Sequence, residues 1–313
     1  MTHDTHRRHP SRRVFLGTLA GAGIAMSYGG RLLADAAAGG LTRPIPATGD
    51  TVPAIGMGTW ITFNVGEDSA LRDDRAGVLQ AFFDLGGGVI DSSPMYGSSE
   101  AVIGYGLAHV SGTERLFSAT KVWTPFTAFG EGQMAESRRL WGVTRFDLMQ
   151  IHNMVNWRGH LPGLLEDRAA GRVRYIGVTT SHGRRHDELE SIMTTEPLDA
   201  VQVTYNILDR EAEARLLPLA ADRGMAVIVN RPFRRGALFD HVGGHPLPGW
   251  SAEIDCSNWA QVLLKFIVSH PAVTCAIPAT SRVDHMTENM GALTGRLPDP
   301  DLRQRMVRDI EAL

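Results

Sequence analysis

Short runs of apolar residues alternate along the chain with longer stretches in which apolar residues recur at helical spacing. The short runs predict eight strands, at residues 55–59, 88–91, 116–122, 148–152, 175–179, 200–205, 226–230 and 273–278. The longer stretches predict helices between most of these strands, at 69–85, 99–109, 132–141, 161–170, 186–194, 211–223 and 258–269. This alternation predicts an α/β protein and favours a closed (β/α)8 TIM barrel over a two-domain open sheet.

Residues 41–54, ahead of the first barrel strand, carry the pattern of a small hairpin. Gly49-Asp50 is a turn signal between the extended segments Arg43-Pro44-Ile45 and Thr51-Val52-Pro53. We therefore expect a short N-terminal β-hairpin before the barrel.

The first 36 residues differ from the rest of the chain. Ser11-Arg12-Arg13-Val14-Phe15-Leu16 precedes a modest apolar stretch rich in Gly and Ala, and Ala34-Asp35-Ala36 supplies a small-residue cleavage pattern. This arrangement resembles a bacterial twin-arginine signal peptide. It divides the chain into a signal at 1–36 and a barrel domain at 37–313.

The resemblance to an export signal implies a partner and a location. The partner is the twin-arginine translocase, a carrier of folded proteins that often have a cofactor bound. We expect folding in the cytoplasm, then a periplasmic or otherwise exported location after signal cleavage. An uncleaved membrane anchor is the alternative, but residues 17–28 are too short and too weakly apolar to span a bilayer of about 30 Å. The mature form is expected to have no stable membrane span.

Charge and cysteine content exclude several classes of protein. The 313 residues carry a formal net charge of −3, so the chain lacks the excess positive charge that favours binding to nucleic acid. The two cysteines, Cys256 and Cys275, make neither a disulfide framework nor a metal cluster.

Lysine is rare in this chain. Of 31 Lys and Arg residues only Lys121 and Lys265 are lysine. Arginine stays charged at any ordinary pH, whereas an ammonium in a dry pocket can have its pKa lowered and can tune a neighbouring acid. Lys121 ends the apolar run at 116–122 and is therefore a candidate for chemistry. The alternative is a leftover surface charge in a chain that uses arginine nearly everywhere.

Polar residues stand at the ends of three consecutive predicted strands. Asp91 ends the second strand, Lys121 the third and His152 the fourth, while Tyr96 lies on the loop above the second. Each residue also has an ordinary structural explanation when it is considered alone. Asp91 could cap a helix and Lys121 could be a surface charge. His152 could be a core histidine and Tyr96 a loop aromatic. Because catalytic groups of a TIM barrel gather at the C-terminal ends of its strands, their joint position predicts an active site.

These four side chains suit proton donation to a carbonyl oxygen. The Tyr96 phenol has an ordinary pKa near 10, and the Lys121 ammonium is expected to lower it. Asp91 would pair with Lys121, and His152 would orient or polarise the carbonyl. No metal site is apparent in the sequence. Reduction also needs a hydride that no side chain supplies, so a nicotinamide cofactor is implied.

Residues from about 45 to 292 resemble the aldo-keto reductase family. The strongest part is Val89-Ile90-Asp91-Ser92-Ser93-Pro94-Met95-Tyr96-Gly97-Ser98-Ser99-Glu100, which is similar to the family segment Asp-Thr-Ala-x-x-Tyr-Gly-x-Ser-Glu. Thr120-Lys121 resembles the lysine motif and Gln150-Ile151-His152-Asn153 the histidine motif. The resemblance implies a catalytic tetrad of Asp91, Tyr96, Lys121 and His152.

The resemblance also implies NADP(H) as cofactor, with NAD(H) as the alternative. Thr179-Thr180 stands where many relatives have Ser-Asn, Asn230 where many have a stacking aromatic, and His285 where many have arginine. Arg282 is expected to contact the 2′-phosphate instead. The implied cofactor-binding residues are Gly58, Thr59, Trp60, Thr179, Thr180, Gln202, Asn230, Arg231, Pro232, Phe233, Gly236, Leu238, Ile277, Ala279, Thr280, Ser281, Arg282, His285, Glu288 and Asn289.

The expected substrate is a small molecule with a carbonyl group. Trp60, Trp123 and Phe126 are predicted to wall an apolar pocket together with Tyr96 and His152. Ordinary core or rim packing is the alternative for the three large aromatic residues.

Three functions are compatible with the sequence. The first is an NAD(P)H-dependent oxidoreductase, which reduces an aldehyde or ketone to an alcohol by hydride transfer with Tyr96 as proton donor. The second is a Schiff-base lyase that uses Lys121 as nucleophile. The third is a nicotinamide-nucleotide-binding protein without catalytic activity, against which the complete tetrad argues.

Overall fold

A computed structural model describes residues 40–313, which include a short antiparallel hairpin ahead of the barrel. Its strands are β1 (Thr42–Pro44) and β2 (Thr51–Pro53), with Arg43 opposite Val52. The hairpin predicted from the turn signal is thereby confirmed. The export signal predicted at 1–36 lies outside the described residues.

Eight parallel strands form the barrel, and each pairs with its neighbour in chain order. Backbone hydrogen bonds from Gly56 to Ala276 (2.8 Å) and from Gly58 to Pro278 (3.0 Å) join the first barrel strand to the last. The predicted (β/α)8 barrel is confirmed. The strands are β3 (Met57–Gly58), β4 (Val89–Asp91), β5 (Phe117–Val122), β6 (Phe146–Ile151), β7 (Val173–Thr179), β8 (Ala200–Thr204), β9 (Ala226–Asn230) and β10 (Cys275–Ala276).

Glycine allows the first and last barrel strands to approach each other. A Cβ on Gly58 would lie 2.8 Å from the carbonyl oxygen of Ile277, and one on Gly56 would lie 2.8 Å from that of Val89. Side chains at these two positions would push β3 away from its neighbours. The strands that meet at the closure, β3 and β10, are also shorter than the apolar runs predicted.

The helices cover the outside of the barrel. They are α1 (Ser69–Asp84), α2 (Ser99–Leu107), α3 (Gly130–Trp141), α4 (Trp157–Ala169), α5 (His186–Thr195), α6 (Leu216–Asp222), α7 (Ala237–Val242), α8 (Trp259–Val268), α9 (Val283–Met290) and α10 (Pro300–Glu311). Among residues 40–313, no helix is both long and apolar enough to cross a bilayer.

One predicted helix is broken, and the pattern omits others. The stretch predicted as a single helix at 211–223 is a 3₁₀ turn at Glu211–Glu213 followed by α6. Pro218 has no N–H to donate to the preceding turn, so a continuous helix would lose a hydrogen bond there. The helices α7, α9 and α10 were not among those predicted. Of these, α10 has clear start signals, because Asp299 caps it and Pro300 opens it.

A small apolar cluster fills the barrel at the N-terminal ends of its strands. Ile45 and Val52 of the hairpin join it, and the rings of Phe117 and Tyr175 stack in it with centroids 6.0 Å apart. The Thr48 hydroxyl lies 2.6 Å from that of Tyr175 and fixes the hairpin over this end. Because the hairpin covers the N-terminal end, the opposite end of the barrel is left for a site.

We predict that Ile45→Ala lowers the free energy of unfolding by about 2–5 kcal/mol, because it leaves a cavity beneath the hairpin. Ile45 is 3% exposed and packs in the lower cluster. Urea denaturation followed by circular dichroism measures the change. Thr51→Ala, at an exposed position of the same hairpin, is the control and is expected to stay within about 0.5 kcal/mol. Equal effects of the two substitutions would contradict a packing role for the hairpin.

Candidate active site

The structure brings the four predicted catalytic residues together at the C-terminal end of the barrel. Asp91 is the last residue of β4, Lys121 lies near the end of β5, and His152 directly follows β6. Tyr96 ends a 3₁₀ turn, Pro94–Tyr96, on the loop after β4. Parallel strands place these four positions on one rim, as expected for a TIM barrel.

The loop that carries Tyr96 is shaped by its own sequence. The Ser93 side chain accepts a hydrogen bond from the Met95 amide (3.2 Å) and caps the 3₁₀ turn, and Pro94 opens that turn. Gly97 ends it with φ 64° and ψ −122°, a conformation that disfavours any other residue. A Cβ at Gly97 would also overlap the side chain of Asn64.

Lys121 and Asp91 form a buried ion pair. Lys121 is fully buried, and its Nζ donates to Asp91 Oδ2 (2.5 Å) and to the Ser92 carbonyl (2.7 Å). The amides of Gln150 and Gln202 each donate to Asp91 Oδ1 at 2.9 Å. Burial alone would lower the pKa of Lys121, but the negative charge of Asp91 is the largest effect in the opposite direction, and the pKa is raised. Lys121 therefore remains an ammonium.

Tyr96 stands between Lys121 and His152. Lys121 Nζ lies 5.3 Å from the centre of the Tyr96 ring, and the Tyr96 and His152 rings meet edge to face at 5.7 Å. The pKa of Tyr96 is raised, because burial outweighs the lowering by Lys121. Lys121 does act to lower this pKa, as expected, but its effect is smaller than that of burial and the net shift is upward. Tyr96 therefore keeps its proton.

His152 is neutral at physiological pH. Burial, together with the nearby Lys121 charge, lowers the pKa of His152 to about 3. Its Nδ1 lies 2.8 Å from Ser93 Oγ. A neutral imidazole next to a protonated phenol can donate or accept a hydrogen bond at a carbonyl oxygen without changing charge.

A cavity of about 490 Å³ opens above these residues, within the range of small-molecule sites. Predicted residues that line it are Gly58, Thr59, Trp60, Asp91, Tyr96, His152, Thr179, Gln202, Asn230, Arg231, Pro232, Phe233, Gly236, Ile277 and Ala279. The sequence reasoning missed Ile61, Thr62, Met95, Asn153, Ser181, His182, Arg235 and Phe239. All of these lie beside predicted residues in the same loops, which is the signal that could have found them.

Other predicted residues do not line this cavity. Trp123 and Phe126 are 42% and 62% exposed on the loop after β5, and Phe126 packs edge to face on Phe129. Leu238 is buried in the main core, and Lys121 lies behind Asp91 and Tyr96. Also outside the lining are Thr180 and the group on β10–α9 made of Thr280, Ser281, Arg282, His285, Glu288 and Asn289.

Gln202 takes part in the polar network under the cavity. Besides Asp91, its amide nitrogen approaches Gln150 Oε1 at 3.2 Å, and its oxygen accepts from Asn230 at 3.3 Å. Asn230 also donates to the Thr180 carbonyl (2.8 Å), at the position where many relatives have an aromatic ring. In the sequence Gln150 is marked only as part of the histidine motif, because its place inside a strand gives no sign of a polar contact. Only the barrel brings it to Asp91.

The rim after β9 is positively charged. Arg231 Nη1 lies 2.7 Å from His182 Nε2, and the Arg235 guanidinium lies 4.0 Å from the centre of the Trp60 ring. Within residues 40–313 neither arginine forms an ion pair, whereas Arg234 pairs with Asp209. The pKa of Arg231 is lowered by burial and then by the neighbouring Arg235 charge, so an anion here would relieve an unfavourable cluster. The described residues hold no group of three or more His, Cys, Asp or Glu placed to bind a metal ion.

Several known proteins with similar sequences or structures are named as reductases. The methylglyoxal reductase YeaE of Escherichia coli is 29% identical over 274 residues, which cover 83% of this chain and 92% of that protein. An NADH-specific methylglyoxal reductase of the same organism is 27% identical over 66% of this chain and 71% of its own length. The crystal structure of an aldo-keto reductase from Klebsiella pneumoniae in complex with NADPH superposes with a TM-score of 0.71 at 25% identity, covering 84% and 92% of the two chains.

The family assignment follows from the sequence match and agrees with the geometry. The model of the aldo/keto reductase family matches residues 54–248, more than half of the chain. That range contains Asp91, Tyr96, Lys121 and His152, which meet at one rim of the barrel. The chain belongs to the aldo/keto reductase family.

Proposed function

We propose that this protein is an NADP(H)-dependent reductase that converts an aldehyde or ketone to an alcohol, with Tyr96 as the proton donor. The observation that carries the proposal is the position of Tyr96 at the cavity wall, with the His152 ring edge to face at 5.7 Å and Lys121 Nζ 5.3 Å from the Tyr96 ring centre. Family membership and the similarity to an NADPH-bound reductase agree with it.

The residues at the rim fit a nicotinamide dinucleotide. Arg231 and Arg235, which lack ion pairs among residues 40–313, supply positive charge for the cofactor's phosphates. Thr179, Gln202 and Asn230 place hydroxyl and amide groups on the same cavity wall. When bound, the cofactor supplies the hydride that no side chain can provide.

Proton transfer is the part of the reaction that the chain's own residues perform. Tyr96 gives its phenolic proton to the oxygen of the reduced carbonyl. The Lys121 ammonium, 5.3 Å from the ring, then stabilises the phenolate that remains. Asp91 holds Lys121 charged and in place through the 2.5 Å ion pair. His152 donates a hydrogen bond that orients the carbonyl and stabilises its developing negative charge.

Methylglyoxal is the first substrate to test. The relative YeaE is named as a methylglyoxal reductase. A small 2-oxoaldehyde fits the part of the cavity beside Tyr96 and His152, where Trp60 and Met95 supply apolar surface.

The Schiff-base alternative conflicts with the state of Lys121. A nucleophilic lysine must be a free amine, whereas the negative charge of Asp91 opposes the effect of burial here and the pKa of Lys121 is raised. Its ammonium is also engaged by Asp91 and the Ser92 carbonyl. Borohydride treatment with substrate is expected to leave Lys121 unmodified, and mass-spectrometric detection of an adduct there would favour the lyase.

Tyr96→Phe is predicted to lower kcat for carbonyl reduction by on the order of 10²-fold or more, because it removes the proton donor. NADPH oxidation with methylglyoxal and a panel of other carbonyls measures the loss, and fluorescence titration is expected to show unchanged cofactor binding. Tyr105→Phe, which removes a hydroxyl bonded to Asp73 on the outside of the barrel, is the matched control. Unchanged turnover in Tyr96→Phe would refute the role of Tyr96, and a chain that neither binds nor oxidises NADPH would refute the reductase function.

We predict that kcat shows no ionisation of His152 between pH 5 and 8. The pKa of this histidine lies at about 3, so lowering the pH through that range does not charge it. Steady-state kinetics at saturating substrate and cofactor give the profile. The contrary result is an acidic limb near pH 6.5 in the wild type that disappears in His152→Gln.

Arg282 and Asp284 are predicted to set the choice between NADPH and NADH. The two exposed side chains form a two-point ion pair, which partly neutralises the arginine expected to contact the 2′-phosphate. Arg282→Ala is expected to raise KM for NADPH roughly tenfold with little effect on NADH. Asp284→Ala is expected to lower KM for NADPH a few-fold, because it frees Arg282. Arg296→Ala breaks a similar exposed pair with Asp255 and is the control; parallel changes for both cofactors in Arg282→Ala would speak against the assignment.

Export through the twin-arginine pathway remains our proposal, supported by Arg12-Arg13 and the apolar stretch that follows. Replacing Arg12 and Arg13 by lysine is expected to keep the protein in the cytoplasm of a bacterium that has this translocase. Cell fractionation and immunoblotting measure the distribution. Replacing Arg7 and Arg8 by lysine is the control, since that pair lies outside the motif. Equal export of both variants would rule out the signal.

A further inference from the structure

His152 has a neutral ring and therefore two alternative positions for its one N–H. Burial and the Lys121 charge lower its pKa to about 3, so only the tautomer remains to be set. If Nε2 carries the hydrogen, the ring can donate to a carbonyl oxygen in the cavity. If Nδ1 carries the hydrogen, Nε2 is an acceptor and its lone pair repels the oxygen of the carbonyl. Catalysis by the proposed mechanism needs the first form.

Ser93 is the side chain that contacts the other ring nitrogen. Its Oγ lies 2.8 Å from His152 Nδ1, and both residues are buried. His152 Nε2 has no hydrogen-bond partner within residues 40–313, and His152 lines the cavity. The ring is thus held at Nδ1 and open at Nε2.

Hydrogen-bond counting decides the direction of the Ser93 bond. The Met95 N–H donates to Ser93 Oγ at 3.2 Å, so one acceptor position of the hydroxyl is filled. If Oγ also accepted from Nδ1–H, its own hydrogen would need a further acceptor, and the contacts of Oγ in the described structure are only these two. A buried hydroxyl without an acceptor costs about 1–3 kcal/mol. Donation from Ser93 Oγ to Nδ1 gives the hydroxyl hydrogen an acceptor and Nδ1 a donor, and leaves the Nε2–H directed to the cavity.

We propose that Ser93 donates its hydroxyl hydrogen to His152 Nδ1 and thereby holds His152 in the Nε2–H tautomer that points a donor at the substrate carbonyl. The inference rests on the proposed reductase function and adds a positioning residue to it. Ser93 acts through His152 and does not touch the reacting atoms.

Nitrogen NMR tests the tautomer directly. The 313-residue chain, labelled with ¹⁵N in its histidine rings, is recorded without substrate or cofactor, and His152 is assigned by the signal lost in His152→Gln. We expect Nε2 to be protonated and Nδ1 unprotonated in the wild type. In Ser93→Ala we expect an average of both tautomers, and in Ser93→Thr, which keeps the hydroxyl, a return toward the wild-type pattern. Ser137→Ala, which removes a buried hydroxyl bonded to Glu100, is expected to leave the His152 pattern as in the wild type.

Kinetics give the matching functional result. We expect Ser93→Ala to lower kcat on the order of tenfold, the equivalent of one hydrogen bond, and Ser93→Thr to recover most of it. A protonated Nδ1 in the wild type would overturn the inference, and so would an unchanged His152 pattern in Ser93→Ala. If Ser93→Ala does not fold, the wild-type and Ser93→Thr spectra still decide the tautomer. Because the spectra need no turnover, they distinguish failure of this inference from failure of the reductase function.

Discussion

The buried ion pair between Lys121 and Asp91 is the interaction on which the rest of the site depends. Removing one partner of such a pair leaves an uncompensated buried charge, which costs about 3–5 kcal/mol. Here the pair is satisfied on both sides, because the Ser92 carbonyl accepts from Lys121 while Gln150 and Gln202 donate to Asp91. Gln150 and Gln202 come from β6 and β8, and Ser92 directly follows β4, so the closed barrel is what makes a charged lysine tolerable in its interior.

A balance between burial and charge sets the protonation of the neighbouring residues. Burial favours the neutral form of both Tyr96 and His152. The Lys121 ammonium reinforces that effect for His152 and opposes it for Tyr96, where burial nevertheless dominates. The result is a protonated phenol and a neutral imidazole side by side, with a fixed positive charge behind them. This arrangement suits the transfer of a proton to an oxygen that becomes negative.

The pattern of apolar and turn residues predicted an element correctly where the sequence of one segment determines the structure of that segment. The apolar runs predicted the eight barrel strands, and Gly49-Asp50 predicted the hairpin turn. It failed where a single residue interrupts a pattern, as Pro218 does in the first turn of α6 by denying a hydrogen bond to the segment before it. It also failed for Trp123 and Phe126, because their side-chain types suggested a pocket wall while their loop holds them at the surface. Gln150 and Ser93 stand in recognisable motifs, but nothing in the sequence indicated their contacts, since their partners lie 59 residues away.

The sequence by itself determined that this chain forms a barrel and that an aspartate, a tyrosine, a lysine and a histidine stand where strands end. Strand periodicity and residue type are local properties, so they can be read along the chain. Only the tertiary structure decided the protonation of the tyrosine, the lysine and the histidine, the contact between Ser93 and His152, and the arginines at the rim. Desolvation and charge depend on atoms brought close from distant segments, and no segment contains that information alone.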